Sequence, residues 1–281
     1  MSLSSRRSYA VLALLPLIVP TAWVLISQNS VSHHVTIVTG IYSTAGKNQV
    51  SSSSPPVTLP SSIPADVTAS HADYVLAYEQ IFSHPIPADR VAHFSGSEDF
   101  SAPDAMLIAY LQAAFESFTW MPQAFIVRAF IKDPALRRTF DTDYIHKLAF
   151  MPGDVVGGVF HCKYQYRGSG DKPEGERIEY AVTAPDGYRG PPVSGLGVAE
   201  VRTVTGSGGE RAVQFVQETW IWRRREAKPT HLETALGKWV HSLQTAKFVM
   251  AGIRVVTEDV RPKSIWSHHM FRLGAEDQDD L

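Results

Sequence analysis

The chain holds one cysteine, Cys162. A lone thiol excludes an internal disulfide framework and a cysteine-based zinc site. Cys162 itself is expected to be a small buried strand residue. Excess charge is lacking as well. The 26 Lys and Arg and 28 Asp and Glu leave a net charge of −2, without the basic surplus of a general nucleic-acid binder. Familiar catalytic signatures are missing. There is no Gly-x-Ser-x-Gly elbow and no P-loop, and Gly195-Leu196-Gly197 lacks the third glycine of a dinucleotide loop. His33-His34 and His268-His269 are adjacent pairs. Neighbouring side chains point apart in an extended chain, so no metal site is expected. His231 and His241 read as surface or helix-flank histidines.

At the amino terminus the absence of charge is itself a signal. Arg6 and Arg7 precede Tyr9–Ile26, 18 residues without a charged side chain, which approaches the length of a membrane-spanning helix. A signal peptide has a shorter apolar stretch and then a small-residue cleavage site, of which SQNSVS is a weak version. Residues 1–26 are therefore expected to be a membrane anchor or signal segment. The uncleaved anchor is favoured, and with it a single-pass placement in the endoplasmic reticulum membrane. Pro16 and Pro20 weaken a helix without excluding it in lipid. The leading arginines would keep the amino terminus cytosolic. The lone cysteine and the lack of any Asn-x-Ser/Thr sequon leave that orientation open.

Residues 27–70 form a Ser/Pro-rich linker in this reading. Lys47 is its only charge as far as Ala65, and SSSSPPVTLPSSIP dominates it. Residues 259–281 end in GAEDQDDL, an acidic solvated tail. Residues 71–258 have the composition of a globular domain.

The first half of that domain reads as helical. Val75, Tyr78 and Phe82 fall on one face of a helix over Asp73 to Phe82. Ser101-Ala102-Pro103-Asp104 resembles a capping start. Met106, Leu107, Tyr110, Leu111, Ala114, Phe115 and Phe118 then repeat at helical spacing. Pro122 interrupts, and a helix resumes over Gln123 to Ile131. Asp133-Pro134 is an N-cap followed by proline, and Asp141 caps a short helix through Lys147. Met151-Pro152-Gly153-Asp154 is a turn. Four strand-like runs follow, Val155 to Arg167, Arg177 to Ala184, Gly195 to Thr205 and Arg211 to Arg224, separated by glycine-rich turns. Thr230 to Glu233 is a capping box opening a long helix that ends near Gly252, and Ile253 to Val256 suggests a last strand.

The expected fold is α+β: amino-terminal helices, a curved antiparallel meander, and a long carboxy-terminal amphipathic helix enclosing an apolar cavity. Lipid-binding helix-grip folds and small cone-shaped cyclase folds share that layout, by fold-level analogy.

Candidate functional residues come from the strand faces. In QETWIWRRRE, Glu218 shares a face with Trp220 and Trp222. A buried carboxylate costs on the order of several kcal/mol unless it is paired or protonated. Glu218 therefore either pairs with a base, such as Arg128, Lys163 or Arg202, or lines a pocket as a proton donor. The arginines that follow read as a solvated strand end. Phe160, Cys162, Tyr164 and Tyr166 alternate with His161, Lys163 and Gln165, and Tyr180 lies on a neighbouring strand. The catalytic candidates are Glu218, His161, Lys163 and Tyr180. The substrate-binding candidates are Trp120, Trp220, Trp222, Tyr164 and Arg128. For each aromatic, an ordinary core position is the competing reading.

The runs TWMPQAFIVRAFIKDPALRRTFDTDYI, MPGDVVGGVF and VQETWIWRRREAKPTHLETALGKWVHSL resemble fungal proteins of secondary-metabolite clusters that carry an amino-terminal membrane segment. Norbornene-forming Diels–Alder cyclases of sordarin-type terpenoid biosynthesis are among these. The resemblance implies a cofactor-independent cyclase or isomerase (a pericyclase) acting on a hydrophobic terpenoid or polyketide intermediate. Such a reaction needs no cofactor, the near-neutral charge argues against a nucleic-acid partner, and no site residue is carried over from the resemblance. A non-catalytic lipid or terpenoid carrier and a membrane-anchored interaction protein remain the alternatives.

Overall fold

The computed structural model describes residues 31, 33–42, 58–70, 72–91, 105–166, 175–184, 194–206 and 208–257. The antiparallel sheet contains β1 (Val35–Tyr42), β2 (Tyr74–Ser83), β4 (Val155–Val156), β5 (Phe160–Tyr166), β6 (Glu176–Val182), β7 (Gly195–Thr205) and β8 (Arg211–Arg224). Their order is β1-β2-β8-β7-β6-β5-β4, and the short β3 (Ile86–Pro87) also pairs with β8. The helices are α1 (Ala65–Ala69), α2 (Ala105–Thr119), α3 (Pro122–Phe130), α4 (Pro134–Arg138), α5 (Thr142–Ile145) and α6 (Ala235–Val256). The chain is thus a mixed helix and sheet fold with an open antiparallel sheet and a carboxy-terminal helix, as the composition of its elements led us to expect.

The run from β4 to β8 is the expected meander. Pairing beyond it differs. Residues 74–83 form a strand between β1 and β8 rather than a helix. Val75, Tyr78 and Phe82 satisfy helical spacing, but the segment is covered on both faces. It therefore lacks the alternation that marks a half-exposed strand. Residues 35–42, inside the expected linker, form edge strand β1, whose side chains are mostly exposed. Residues 58–70 lie on the sheet: Ile63 and Val67 pack with Leu76, Leu196, Val198 and Trp220. Ile253 to Val256 continue α6 instead of adding a strand.

Local rules explain the helical half. Asp133 accepts a hydrogen bond from the Ala135 amide at 2.8 Å, with Pro134 in the first turn. Thr230 and Glu233 make the reciprocal bonds of a capping box just before α6. The expected capping start at 101–104 lies outside the described residues. So do Tyr9–Ile26, the acidic tail and His268-His269.

Two layers of side chains cover the sheet. On one face Ile81, Ile178, Ala199, Val213 and Phe215 meet α2 and α6 in the main core. Tyr110 of α2 stacks on Phe215 with ring centroids 4.9 Å apart. Gly252 lets α6 approach this pair, since a Cβ there would lie 2.4 Å from the Tyr110 ring. The opposite face carries the smaller cluster around Trp220.

The single-pass membrane placement expected from the sequence is corrected here. Among the described residues no helix is long and apolar enough to cross a membrane. The 22-residue α6 has the length, but it carries Lys238, Lys247 and Arg254 and buries Leu243, Ala246, Val249 and Ile253 against protein.

Candidate functional site

A pocket of about 320 Å³ opens between the helix-covered sheet face and the helices. Phe115 and Phe118 of α2, Val127 of α3, Val182 of β6, Ile221 of β8 and Phe248 of α6 supply apolar walls. Gly195 and Gly197 of β7 also line it. The Gly197 position is filled by its neighbour: a Cβ there would lie 2.0 Å from the Tyr180 ring.

Polar side chains line the pocket as well, and two hydrogen-bonded groups stand out among them. Tyr180 is buried on β6, and its hydroxyl accepts a hydrogen bond from the side-chain amide of Gln217 on β8. Burial pushes the Tyr180 hydroxyl well above its ordinary range, so it stays protonated. Gln217 is 2% exposed, and its Oε1 has no hydrogen-bond partner. The pair therefore places a hydroxyl hydrogen and an unused amide oxygen in an apolar setting.

The second polar group spans α6 and β2. Glu79 is 1% exposed. Its Oε1 lies 2.8 Å from His241 Nδ1, and the Ser242 hydroxyl donates to its Oε2. A carboxylate only accepts, so a neutral His241 facing it carries its proton on Nδ1 and presents a lone pair at Nε2. Thr245 Oγ1 lies 3.3 Å from the same Nδ1. His231, in the capping turn, sets its ring 5.1 Å from that of His241. Desolvation, and secondarily His241, push His231 down to about 4, although the residue as a whole is solvent-exposed. Both histidines line the pocket.

Of the residues singled out from the sequence, Tyr180 lies in this pocket. Trp220 borders it through its strand, but its indole belongs to the opposite face, 5.3 Å from the Tyr78 ring. Glu218 also faces that side. It is 2% exposed and accepts from Gln80 at 3.0 Å and from the Trp220 indole at 2.9 Å. None of Arg128, Lys163 or Arg202 is its hydrogen-bond partner. Arg202 instead bonds Glu200, in a network that continues through Arg177 to Glu179. Arg128 sits 3.8 Å from Asp141 and over the Phe140 ring. Trp120 is 76% exposed and lines a separate groove with Arg128. Trp222 borders another groove beside Tyr74.

A bulge between Cys162 and Tyr164 breaks the expected alternation on β5. Cys162 stays opposite Tyr180 and is buried, and burial and then Asp154 push its thiol up to about 12. Tyr164 shifts opposite Glu179. His161 pairs with Ala181, and burial and then Lys163 lower its pKa. Lys163 is exposed. Among the described residues, no three His, Cys, Asp or Glu side chains are grouped to hold a metal ion.

Glu79, Gln217, His231 and His241 were not among the sequence candidates. Gln217 was visible as the polar residue opposite the Glu218 face of β8. Glu79 was concealed by the helical reading of its segment, and its partner lies 162 residues away.

No family model, curated protein or solved structure matches this chain. The chemistry of the site carries the functional argument.

Proposed function

We propose that the protein is a cofactor-independent cyclase or isomerase for a hydrophobic terpenoid or polyketide intermediate of fungal secondary metabolism. The observation that carries this reading is the Tyr180–Gln217 pair, set in a pocket whose apolar walls are Phe, Val, Ile and Gly residues and which His231 and His241 also border. Its volume of about 320 Å³ lies near the lower end of the range of small-molecule sites, about 300–1,000 Å³. Apolar walls hold a flexible polyene or polyketide in a folded, reactive shape, which removes an entropic cost. The Tyr180 hydroxyl, backed by the Gln217 amide, donates to a carbonyl oxygen on the substrate and stabilises charge that grows there. Cyclisation by bond reorganisation leaves the mass unchanged, so no co-substrate is required.

The connectivity supports the same reading. β2 precedes α2 to α5 yet pairs with the last strand, β8, and α6 then lies against the sheet. We read this, by fold-level analogy, as resembling the helix-grip layout, in which a curved sheet and a long helix enclose an apolar cavity.

The test is conversion. The protein would be incubated with an extract of apolar secondary metabolites, and each compound followed by mass and retention time. Conversion of one compound into an isomer of identical mass, slowed in Tyr180→Phe and Gln217→Leu, is the expected result. Selective retention of a compound without change would instead make the protein a carrier. The absence of both retention and conversion would overturn the pocket reading.

A further inference from the structure

We infer that His241 is the catalytic base of this pocket, positioned by Glu79, and that the substrate is an enolisable carbonyl compound. The inference rests on the cyclase or isomerase reading and narrows it.

The argument starts from the buried carboxylate. Glu79 lies beneath α6 with its oxygens committed to His241 Nδ1 and the Ser242 hydroxyl. That arrangement fixes the tautomer and orientation of the imidazole and leaves Nε2 as a base. No described residue bonds Nε2. The ring itself lines the pocket. A purely structural tie between β2 and α6 needs only Ser242. It does not require an imidazole bordering an apolar pocket. The charged and titratable groups around His241 are Glu79 from β2 and His231 from the turn before α6. His231, held low, stays neutral near neutrality and adds no competing positive charge.

The same pocket holds the other half of the chemistry. The Tyr180 oxygen accepts a hydrogen bond from the Gln217 side-chain amide and keeps its own hydrogen to donate. Gln217 Oε1 is buried without a partner, which is the condition of a polar group awaiting a ligand. A base and a hydroxyl donor bordering one apolar pocket match the needs of a ketone losing an α-proton.

The step balances without a further reagent. The C–H bond beside the carbonyl breaks and an N–H bond forms at His241 Nε2. The electron pair moves into the enolate, whose oxygen accepts from Tyr180. The imidazolium then returns its proton, either to a conjugated carbon, giving an isomer, or to an alkoxide after the enolate carbon has closed a ring on a second carbonyl.

The experiment uses the full chain with trans-2-decalone, an apolar ketone, in D2O. Deuterium incorporation is followed by NMR and binding by titration. Wild type is expected to bind the ketone and to exchange its α-protons faster than buffer. His241→Ala should lose about 10²-fold in exchange or more, with affinity unchanged and with partial recovery on adding imidazole. Glu79→Gln should keep affinity while exchange falls at least about tenfold. If that buried variant does not fold, the partly exposed His241 position decides the question alone. Binding without exchange, or full exchange in His241→Ala, overturns the inference and leaves the pocket reading standing. Absence of binding overturns both.

Discussion

The ring of Tyr180 occupies the space that a side chain at Gly197 would fill. The two residues face each other across β6 and β7, and a Cβ on Gly197 would lie 2.0 Å from the ring. Strand glycine normally weakens a sheet. Here it seats the hydroxyl that the pocket presents.

Gly197→Ala is therefore expected to push Tyr180 off its position against Gln217. Overpacking of this kind costs about 1–3 kcal/mol, measurable by urea denaturation. Binding of an apolar ketone should weaken together with stability. Gly195→Ala is the control, since its Cβ would meet the Trp220 carbonyl oxygen at 3.2 Å and leaves Tyr180 alone. Equal effects of the two substitutions on binding would count against Tyr180 as the polar anchor.

Glu218→Gln separates stability from turnover. Glu218 lies on the sheet face away from the pocket and accepts from both Gln80 and the Trp220 indole. A glutamine can satisfy one of these donors with its oxygen, but its amide then meets the other. The expected loss is about 1–3 kcal/mol of stability, with conversion rate per folded molecule unchanged. A selective fall in rate would return Glu218 to the active site.

The contrast between Glu218 and Glu79 shows what was legible in the sequence. The faces of β8 followed from alternation, and Gly195 to Thr205 and Arg211 to Arg224 coincide with β7 and β8. The repeat from Met106 to Phe118 falls within α2, and the Thr230–Glu233 capping box precedes α6. Which face of β8 meets the helices was not legible, because both faces are apolar. Val213, Phe215, Gln217 and Thr219 took the pocket side. Residues 74–83 were misread because burial on both sides erases period-two patterning. With that strand misread, Glu79 could not be placed opposite His241.

Tyr110→Phe tests the helix-covered core. The Tyr110 hydroxyl is buried without a hydrogen-bond partner, while its ring stacks on Phe215 and meets Gly252. Removing an unsatisfied hydroxyl and keeping the ring should be neutral or stabilise by up to about 1 kcal/mol. Gly252→Ala should do the opposite, forcing α2 and α6 apart at a cost of about 1–3 kcal/mol. Thermal melts of both variants decide it. A destabilised Tyr110→Phe would mean that the hydroxyl has a partner after all.

His231 predicts a loss of stability in acid. Its folded pKa is lowered to about 4, while an unfolded histidine titrates near 6.5. Above 6.5 both forms are neutral and the full contribution is present. As pH falls from about 6.5 towards 4, the unfolded chain binds a proton that the folded chain refuses, so stability declines. His231 is exposed, so solvent limits the effect to on the order of 1 kcal/mol. Urea midpoints at pH 7 and pH 5 should differ less in His231→Gln than in wild type. An equal difference would mean that His231 is not held neutral.

Arg223 joins the end of β8 to the turn before α6. The arginines after Trp222 looked like a solvated strand end. Arg223 instead donates to both Glu233 oxygens, at 2.8 and 2.7 Å, and to the carbonyls of Arg224, Arg225 and Ala227. Glu233 in turn closes the capping box through the Thr230 amide. One guanidinium thus ties the end of β8 to the turn that carries His231 into the pocket. Hydrogen bonding to Arg223 lowers the Glu233 pKa, so this contribution is present above the ordinary carboxylate range and fades as pH falls through the lowered value. Lysine keeps the charge but cannot make the bidentate contact. Arg223→Lys is therefore expected to lose on the order of 1–2 kcal/mol. The turn should also loosen, seen as faster amide exchange at residues 228–234, and apolar ligand affinity should fall. Slow exchange and full affinity in Arg223→Lys would show that the capping box holds His231 in place by itself.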